Sequence, residues 1–170
     1  MTTPRAPNAQ PSDLSALLRR IPWFQRLRPE HFAALREITT LKEVPPGAVI
    51  FREGEPQDDL YIVLEGRVAL EIYVPGRGRV RLLTLDPMEV FGWSSVVPQV
   101  RRRTATAIAL VPTRLAALDA QALLQLCQTN PELGCLVMQR LSNVIAKRLL
   151  VTRLQLLDMY AHPHSGEVRP

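Results

Sequence analysis

The sequence has few of the side chains that build disulfide frameworks and metal centres. It contains two cysteines and three histidines in 170 residues. Two cysteines make neither a disulfide framework nor a zinc site of the usual spacing. Cys127 and Cys135 both lie in apolar segments with helical spacing, so we expect buried free thiols. The histidines are His31, His162 and His164.

Long hydrophobic runs are also missing. No stretch reaches the ~18 uninterrupted apolar residues of a membrane span, and residues 1–12 are polar and proline-rich, unlike a signal peptide. We therefore predict a cytoplasmic protein without a membrane partner. The 21 basic and 16 acidic residues give a formal net charge of +5, which favours anionic partners.

Three compositional zones lie between two tails that we expect to be disordered, residues 1–12 and 161–170. Residues 13–40 have the apolar spacing of two short helices, with Ser12 or Asp13 as the candidate cap of the first. Residues 41–118 consist of short β-rich runs separated by turn signals every 8 to 12 residues. The sequence therefore predicts a compact antiparallel sandwich or barrel, followed by helices over residues 119–160.

The last predicted helix is longer than the domain requires. Asn130 is its candidate cap and Pro131 its first residue, and the apolar pattern continues to about Tyr160. Thirty helical residues span about 45 Å. We expect the surplus apolar length to pair with the same helix of a second copy, which would make the protein a homodimer. A single helix lying along its own barrel is the alternative.

The residue pattern contains no catalytic constellation. The strand-rich zone, residues 41–118, has no histidine or cysteine, so no metal cluster is predicted on the strands. The sequence has no Gly-x-Ser-x-Gly elbow, and the glycines of residues 75–78 fit a hairpin turn better than a nucleotide loop. We predict that the protein is not an enzyme.

The stretch PPGAVIFREGEPQDDLYIVLEG, residues 45–66, continues into Arg67 and Val68. It resembles the opening strands of the cyclic nucleotide-binding domain of the catabolite activator (Crp/Fnr-like) family, and the resemblance covers about residues 14–160. It implies a mainly β fold with flanking helices, a β jelly roll (double-stranded β-helix) with N-terminal helices and a long C-terminal dimerisation helix.

The stretch FGWSSVVPQVRRRTATA, residues 91–107, resembles the phosphate-binding cassette of that family. Gly92 permits a tight turn, and unpaired N–H groups of residues 93–96, in a short helix, would form an anion site. Arg103 would hold a phosphate by charge-assisted hydrogen bonds, with the Thr104 hydroxyl beside it. Arg101 and Arg102 are expected at the rim, and a surface salt bridge is the alternative for Arg103. The candidate ligand-binding residues are Gly92, Trp93, Ser94, Ser95, Arg103, Thr104 and Thr152, the last by resemblance to a purine-contacting threonine of the dimerisation helix.

The cassette departs from the family motif at Trp93, where the motif has a glutamate that accepts a hydrogen bond from the ribose. An indole is only a donor, and losing a charge-assisted hydrogen bond costs about 1.5 to 3 kcal/mol. Trp93 could instead stack on a planar ligand or fill the pocket. Glu89 and Glu71 are conceivable substitutes for the missing carboxylate. The expected ligand is a small anion, with cyclic AMP or cyclic GMP in an altered pocket as candidates.

Family transcription regulators have a winged helix-turn-helix after the long helix, but residues 161–170 are too few for one. We therefore predict a stand-alone sensor that signals to a protein partner, without DNA binding by this chain alone. A degenerate dimerisation scaffold that binds no ligand, and a sensor fragment of a transcription regulator, are the alternatives.

Overall fold

The computed structural model describes residues 11–56, 58–100 and 102–161. Of the two expected disordered tails, residues 1–10 and 162–170 lie outside the described residues, as do Arg101, His162 and His164, whereas Ala161 ends the last helix. The helices are α1 (Pro11–Arg19), α2 (Pro29–Glu37), α3 (Ala120–Thr129) and α4 (Pro131–Ala161), with short 3₁₀ helices at Phe24–Arg26 and Trp93–Val96. The strands are β1 (Thr39–Val44), β2 (Val49–Phe51), β3 (Asp59–Glu65), β4 (Val68–Val74), β5 (Gly78–Leu85), β6 (Val90–Phe91), β7 (Thr106–Ala109) and β8 (Thr113–Asp119).

The strands in the described part of the chain form two antiparallel sheets, in the orders β1-β8-β3-β6 and β2-β7-β4-β5. The predicted antiparallel sandwich between helices is confirmed. β4 and β5 form the predicted hairpin across residues 75–77, where Gly76 has a φ of 79°. β6 pairs with β3 through only two residue pairs. The chain therefore leaves the sheet after Phe91 and enters the 3₁₀ helix Trp93–Val96 through Gly92.

Strand β3 separates two hydrophobic cores. Leu60, Ile62 and Leu64 face the helices, while Tyr61 and Val63 face the opposite sheet. This alternation follows the two-residue period of a strand, and both faces are buried. The core between the sheets lies next to the cassette, because Tyr61 stacks on Phe91 with ring centroids 5.1 Å apart.

Helix α1 begins earlier than the sequence predicted. It starts at Pro11, so Pro11 and Ser12 belong to the helix and not to the expected tail, and neither Ser12 nor Asp13 is a cap outside it. Proline fits the first turn because its fixed φ is helical and its missing N–H has no intrahelical partner there. The Asp13 carboxylate instead accepts a hydrogen bond from Arg114 of β8, which ties α1 to the sheet.

Helices α3 and α4 approach closely, and this determines the environments of the two cysteines. A Cβ at Gly134 would lie 2.6 Å from the carbonyl oxygen of Cys127, so only glycine allows this approach. Cys127 is half-buried, and burial raises the pKa of its thiol. The prediction of a buried thiol is wrong for Cys135, which is exposed because it lies on the outward face of α4.

Helix α4 begins as predicted at Pro131, with the Asn130 side chain accepting a hydrogen bond from the Leu133 N–H at 3.1 Å. Its first turns are buried through Leu133, Val137 and Leu141. Its C-terminal half exposes a series of leucines, Leu149, Leu150, Leu154 and Leu157. Among the described residues, no helix combines the length and apolar character needed to cross a membrane.

Candidate functional site

The cassette begins with a sharp turn at Gly92, directly after β6. Gly92 has a φ of 72°, in the left-handed region that favours glycine, and the 3₁₀ helix Trp93–Val96 follows it. The tight turn expected from the sequence is therefore present. Because β6 is held by β3, the start of this short helix is fixed relative to the sandwich.

The serines of the short helix are less available than the sequence suggested. The N–H of Ser95 donates to the Gly92 carbonyl at 3.1 Å, and the Ser95 hydroxyl donates to the same oxygen at 2.9 Å. The expectation that all N–H groups of residues 93–96 are unpaired is thus wrong for Ser95, because a 3₁₀ helix closes its hydrogen bonds after three residues. Ser94 is buried.

Arg103 lies inside the protein, with only 4% of the residue exposed. Its Nη1 donates to the Gly92 carbonyl at 3.1 Å, and its Nη2 donates to the main-chain carbonyl of Asp59 at 2.9 Å. The guanidinium also packs over the Phe51 ring, 4.2 Å from the centroid. Among the described residues Arg103 therefore makes no surface salt bridge, and it joins the cassette turn to β2 and β3.

The charge of Arg103 is only partly compensated. Burial lowers the pKa of its guanidinium, and Tyr61, Asp59, Asp58 and Glu55 act in the opposite direction through space. Its Nε has no hydrogen-bond partner within the described residues. An unpaired donor on a buried cation is unfavourable, so this side chain retains capacity to bind an anionic oxygen.

The residues around Arg103 differ in exposure. Thr104 is exposed and lines a small cavity beside the cassette, whereas the Thr106 hydroxyl accepts a hydrogen bond from the N–H of Glu53. Arg102 is exposed at the rim and donates to the Gly54 carbonyl at 2.8 Å. Of these two threonines, Thr104, which precedes β7, lines the cavity, and Thr106, the first residue of β7, does not.

The cavity beside the cassette has a volume of about 20 Å³. It is lined by Phe51, Leu70, Gly92, Trp93, Ser94, Thr104, Ala105 and Arg148. This volume accommodates a water molecule but no nucleotide. Trp93 lines the cavity, but it is half-buried and packs against the helix-side core, so its indole does not fill the sandwich interior.

The long helix contributes a different residue than the one predicted. Thr152 is exposed and does not line the cavity, whereas Arg148, one turn earlier, does. Arg148 Nη2 donates to the carbonyl of Val90 in β6, and burial lowers the pKa of its guanidinium to about 10. Arg148 was not among the predicted site residues, although an arginine among the leucines of the long helix was the available signal.

Neither candidate carboxylate takes the place of the missing glutamate. Glu71 pairs with Arg81 across the β4–β5 hairpin at 3.2 Å. Glu89 pairs with Lys147 of α4 at 2.9 Å and accepts a hydrogen bond from the Asp86 N–H. Burial alone would raise the pKa of Glu89, but these hydrogen bonds hold it below its usual range.

A larger groove of about 610 Å³ runs between α4 and the turn that joins β5 to β6. Glu89, Lys147 and Arg148 all line it, together with Met88, whose φ of 73° is unusual for a residue other than glycine. Arg148 lines both the groove and the cassette cavity. No cluster of three or more potential metal ligands occurs in the described ranges.

The antiparallel sandwich agrees with comparisons to known proteins. The family model described as the cyclic nucleotide-binding domain matches residues 41–130, which include the whole cassette. This chain belongs to the cyclic nucleotide-binding domain family. It is a cyclic nucleotide-binding regulatory domain similar to those of Crp/Fnr-like regulators, and the predicted jelly roll is confirmed.

Individual relatives of this cyclic nucleotide-binding domain include complete regulators. It is 33% identical over 156 residues to the CRP-like cAMP-activated global transcriptional regulator of Mycobacterium tuberculosis, covering 91% of this chain and 67% of that protein. The catabolite activator protein of Thermus thermophilus is 33% identical with a TM-score of 0.66, over 82% of this chain and 63% of that chain. A cyclic nucleotide-binding domain from Methylobacillus flagellatus has the same fold, with 24% identity, a TM-score of 0.73 and coverage of 94% and 86%.

Proposed function

We propose that this domain is a regulatory sensor that binds a small anionic ligand in the cassette and signals through α4. The observation that carries the proposal is the position of Arg148: it belongs to α4, lines the cassette cavity and donates a hydrogen bond to β6. An anion in the cassette would therefore act directly on the helix.

The cassette offers suitable groups for an anionic oxygen. Arg103 has an unpaired Nε, and the hydroxyl of Thr104 is exposed at the cavity. Guanidinium groups bind phosphates by charge-assisted hydrogen bonds, which are stronger than neutral ones. Arg103 would exchange its main-chain carbonyl partners for the ligand, which supports a role for Arg103 and Thr104 as ligand contacts.

Ligand binding would require movement at Arg148, because the cavity holds only about 20 Å³. Arg148 borders the groove of about 610 Å³ as well, so displacement of its side chain would connect the two spaces. The joined volume lies in the range of small-molecule sites. The ligand would thus favour an arrangement of α4 in which Arg148 no longer binds Val90, which is a population shift between two states.

A cyclic nucleotide is the first ligand class to test, since relatives include a regulator described as cAMP-activated. In this chain Trp93 stands where the family motif has a carboxylate, so the ribose contact would be altered. Trp93, which lines the cavity, would provide an aromatic surface for a base or another planar group.

We propose that signalling uses a homodimer formed by α4. Leu150, Leu154 and Leu157 are spaced as i, i+4 and i+7, and they are 60%, 66% and 53% exposed. Leu149 is 68% exposed beside them. Exposed apolar stripes of this kind are rare on monomers. Thr152 is exposed in the same half of the helix, so its predicted ligand contact would depend on this pairing.

Thermal unfolding with millimolar cyclic AMP, cyclic GMP and cyclic dinucleotides tests ligand binding. A ligand at 100 times its Kd adds about 2.7 kcal/mol, which corresponds to roughly 5 to 10 °C for a domain of this size. We expect the shift to decrease in Arg103→Ala and in the surface variant Thr104→Val. Thr106→Val, two residues further along the chain and away from the cavity, should retain it. An undiminished shift in both cassette variants would contradict the proposed site.

Sedimentation equilibrium tests the homodimer. The wild type should sediment as a dimer at micromolar concentration, and Leu150→Glu combined with Leu154→Glu should give monomers, because charges would replace the apolar stripe. Gln139→Glu, at an exposed polar position of the same helix, is the control and should leave the dimer intact. A monomeric wild type would refute the dimer proposal.

One observation favours a second candidate function, a dimerisation scaffold without a ligand. Arg103 already satisfies two of its donors with main-chain carbonyls, and the cavity is small. The absence of any ligand-induced shift, combined with a stable dimer, would support the scaffold. The similarity to transcription regulators supports the alternative that the chain is the sensor part of a longer regulator. Salt-dependent DNA binding by this chain would argue against our proposal that it signals to a protein partner without binding DNA itself.

A further inference from the structure

Two arginines converge on the cassette from different elements, and neither is neutralised there. Arg103 enters from the segment before β7 and packs against Phe51 and Gly92, two residues that line the cavity. Arg148 enters from α4 and lines the cavity itself. Within the described residues, both guanidinium groups donate to main-chain carbonyls, and neither lies within 4 Å of a carboxylate.

Two of the nearby carboxylates, those of Asp59 and Glu89, are engaged elsewhere. Asp59 presents its main-chain oxygen to Arg103, while its side chain pairs with Lys42 at 2.6 Å and accepts a hydrogen bond from the Tyr61 hydroxyl. Glu89 pairs with Lys147. These carboxylates reduce the field at the arginines but do not occupy the cavity, which is lined by aromatic, apolar and hydroxyl side chains apart from Arg148.

This arrangement leaves two positive charges close to one small site, because Arg148 lines the cavity and Arg103 lies directly behind Gly92 and Phe51, which line it. Charges that are partly removed from water interact more strongly than surface charges, so a pair of arginines that is only partly compensated favours anions of matching charge. A singly charged ligand would neutralise one guanidinium and leave the other buried without a counterion. A doubly charged ligand would neutralise both.

We infer that the cassette of this chain prefers a doubly negative ligand, such as a phosphate monoester, over a singly charged cyclic phosphate. This inference rests on the proposed function, because it concerns the ligand of the same site. Trp93 is the residue that determines the preference, since it supplies no carboxylate beside Arg148. A glutamate there would act as an internal counterion for Arg148 and would leave only the charge of Arg103 to the ligand.

Calorimetric titration with adenosine, 3′,5′-cyclic AMP, 5′-AMP and 3′-AMP tests the inference, because these probes share one base and carry no, one or two charges. At pH 8 the phosphate monoesters are almost fully doubly ionised, since their second pKa is near 6. We expect the better of the two monoesters to bind tenfold to a hundredfold more tightly than cyclic AMP, the increment typical of one charge-assisted contact.

Two variants should abolish this preference by different routes. Trp93→Glu adds a counterion for Arg148, and Arg148→Met removes the second charge; in each, the ratio of monoester to cyclic AMP affinity should fall to about one. Arg79→Gln removes a charge from an exposed position on β5 and should leave the ratio unchanged.

The outcomes separate this inference from the proposed function. If the wild-type protein binds cyclic AMP at least as tightly as the better of the two monoesters, the inference is overturned and the sensor proposal stays intact. A preference that persists in both cassette variants would overturn it as well, because the charge of Arg148 would then not cause it. Binding of none of the four probes would overturn the inference together with the nucleotide version of the proposed function.

Discussion

Replacing Gly92 by alanine tests the position of Arg103 more sharply than removing the arginine itself. A Cβ at Gly92 would lie 2.7 Å from Arg103 Nη1 and 3.2 Å from the Asp59 carbonyl oxygen, and the φ of 72° is strained for alanine. The left-handed backbone costs about 1 to 2 kcal/mol. Displacing a buried guanidinium from its carbonyl partners adds about 1.5 to 3 kcal/mol.

The expected total loss in the free energy of unfolding is therefore about 2.5 to 5 kcal/mol for Gly92→Ala. Gly76→Ala is the matched control, because Gly76 has a φ of 79° and no atom within 4 Å of a Cβ built there. It should lose only the backbone contribution of about 1 to 2 kcal/mol. Urea denaturation of both variants and the wild type measures the difference.

Combining the variants isolates the contact. In the wild-type background, Gly92→Ala should lose more free energy of unfolding than Gly76→Ala. In an Arg103→Ala background this difference between the two glycine variants should decrease, because the guanidinium that the new Cβ would collide with is gone. Equal losses for Gly92→Ala and Gly76→Ala in the wild-type background would refute the buried position of Arg103 under the cassette turn.

Three further predictions concern side chains around α4. Arg148→Met should leave the free energy of unfolding unchanged or raise it by about 1 to 2 kcal/mol at pH 7. Burial lowers the pKa of the guanidinium to about 10, which implies about 3 kcal/mol against folding, and its hydrogen bond offsets this only in part. A loss above about 1 kcal/mol in urea denaturation would contradict this. Glu89→Gln should lower the free energy of unfolding by about 1 kcal/mol at pH 7. The pKa of the Glu89 carboxyl is lowered in the folded protein, so the ionised carboxylate stabilises the fold at pH values above its usual pKa of 4.5. That difference should disappear as the pH falls from about 4.5 through the lowered pKa, and a difference that persists in acid would rule out the ion pair with Lys147 as its source. Cys135 should react with a thiol reagent faster than Cys127, which is half-buried with a raised thiol pKa, as mass spectrometry of timed samples would show; equal rates would contradict these exposures.

The fold was predictable because its signals are local. Turn residues at regular spacing indicated the sandwich, and Asn130 followed by Pro131 indicated the start of α4, which the structure confirms. The first residue of α1 was not predictable from the sequence, because Pro11, Ser12 and Asp13 all suit a helix N-terminus. The contact between Asp13 and Arg114, which involves residues distant in sequence, determines how that helix lies.

The site was predictable only in outline. Gly92 and Arg103 could be placed in a cassette by resemblance, but the sequence does not show that the arginine turns inward onto Phe51 and main-chain carbonyls. Nor does it show that Arg148 reaches the cassette, because that contact joins α4 to β6 over 58 residues. Such contacts depend on how the helix packs on the sandwich, and helical spacing alone does not specify this.

Tryptophan fluorescence gives the most direct test of the central claim that an anionic ligand binds in the cassette. The chain has two tryptophans, and in Trp23→Phe the remaining Trp93 lines the cassette cavity and becomes a local reporter. Titration of this variant with 5′-AMP and with cyclic AMP should give a saturable change in Trp93 emission, and Thr104→Val in the same background should weaken it. Binding detected by calorimetry without any change at Trp93 would place the ligand elsewhere and contradict the account.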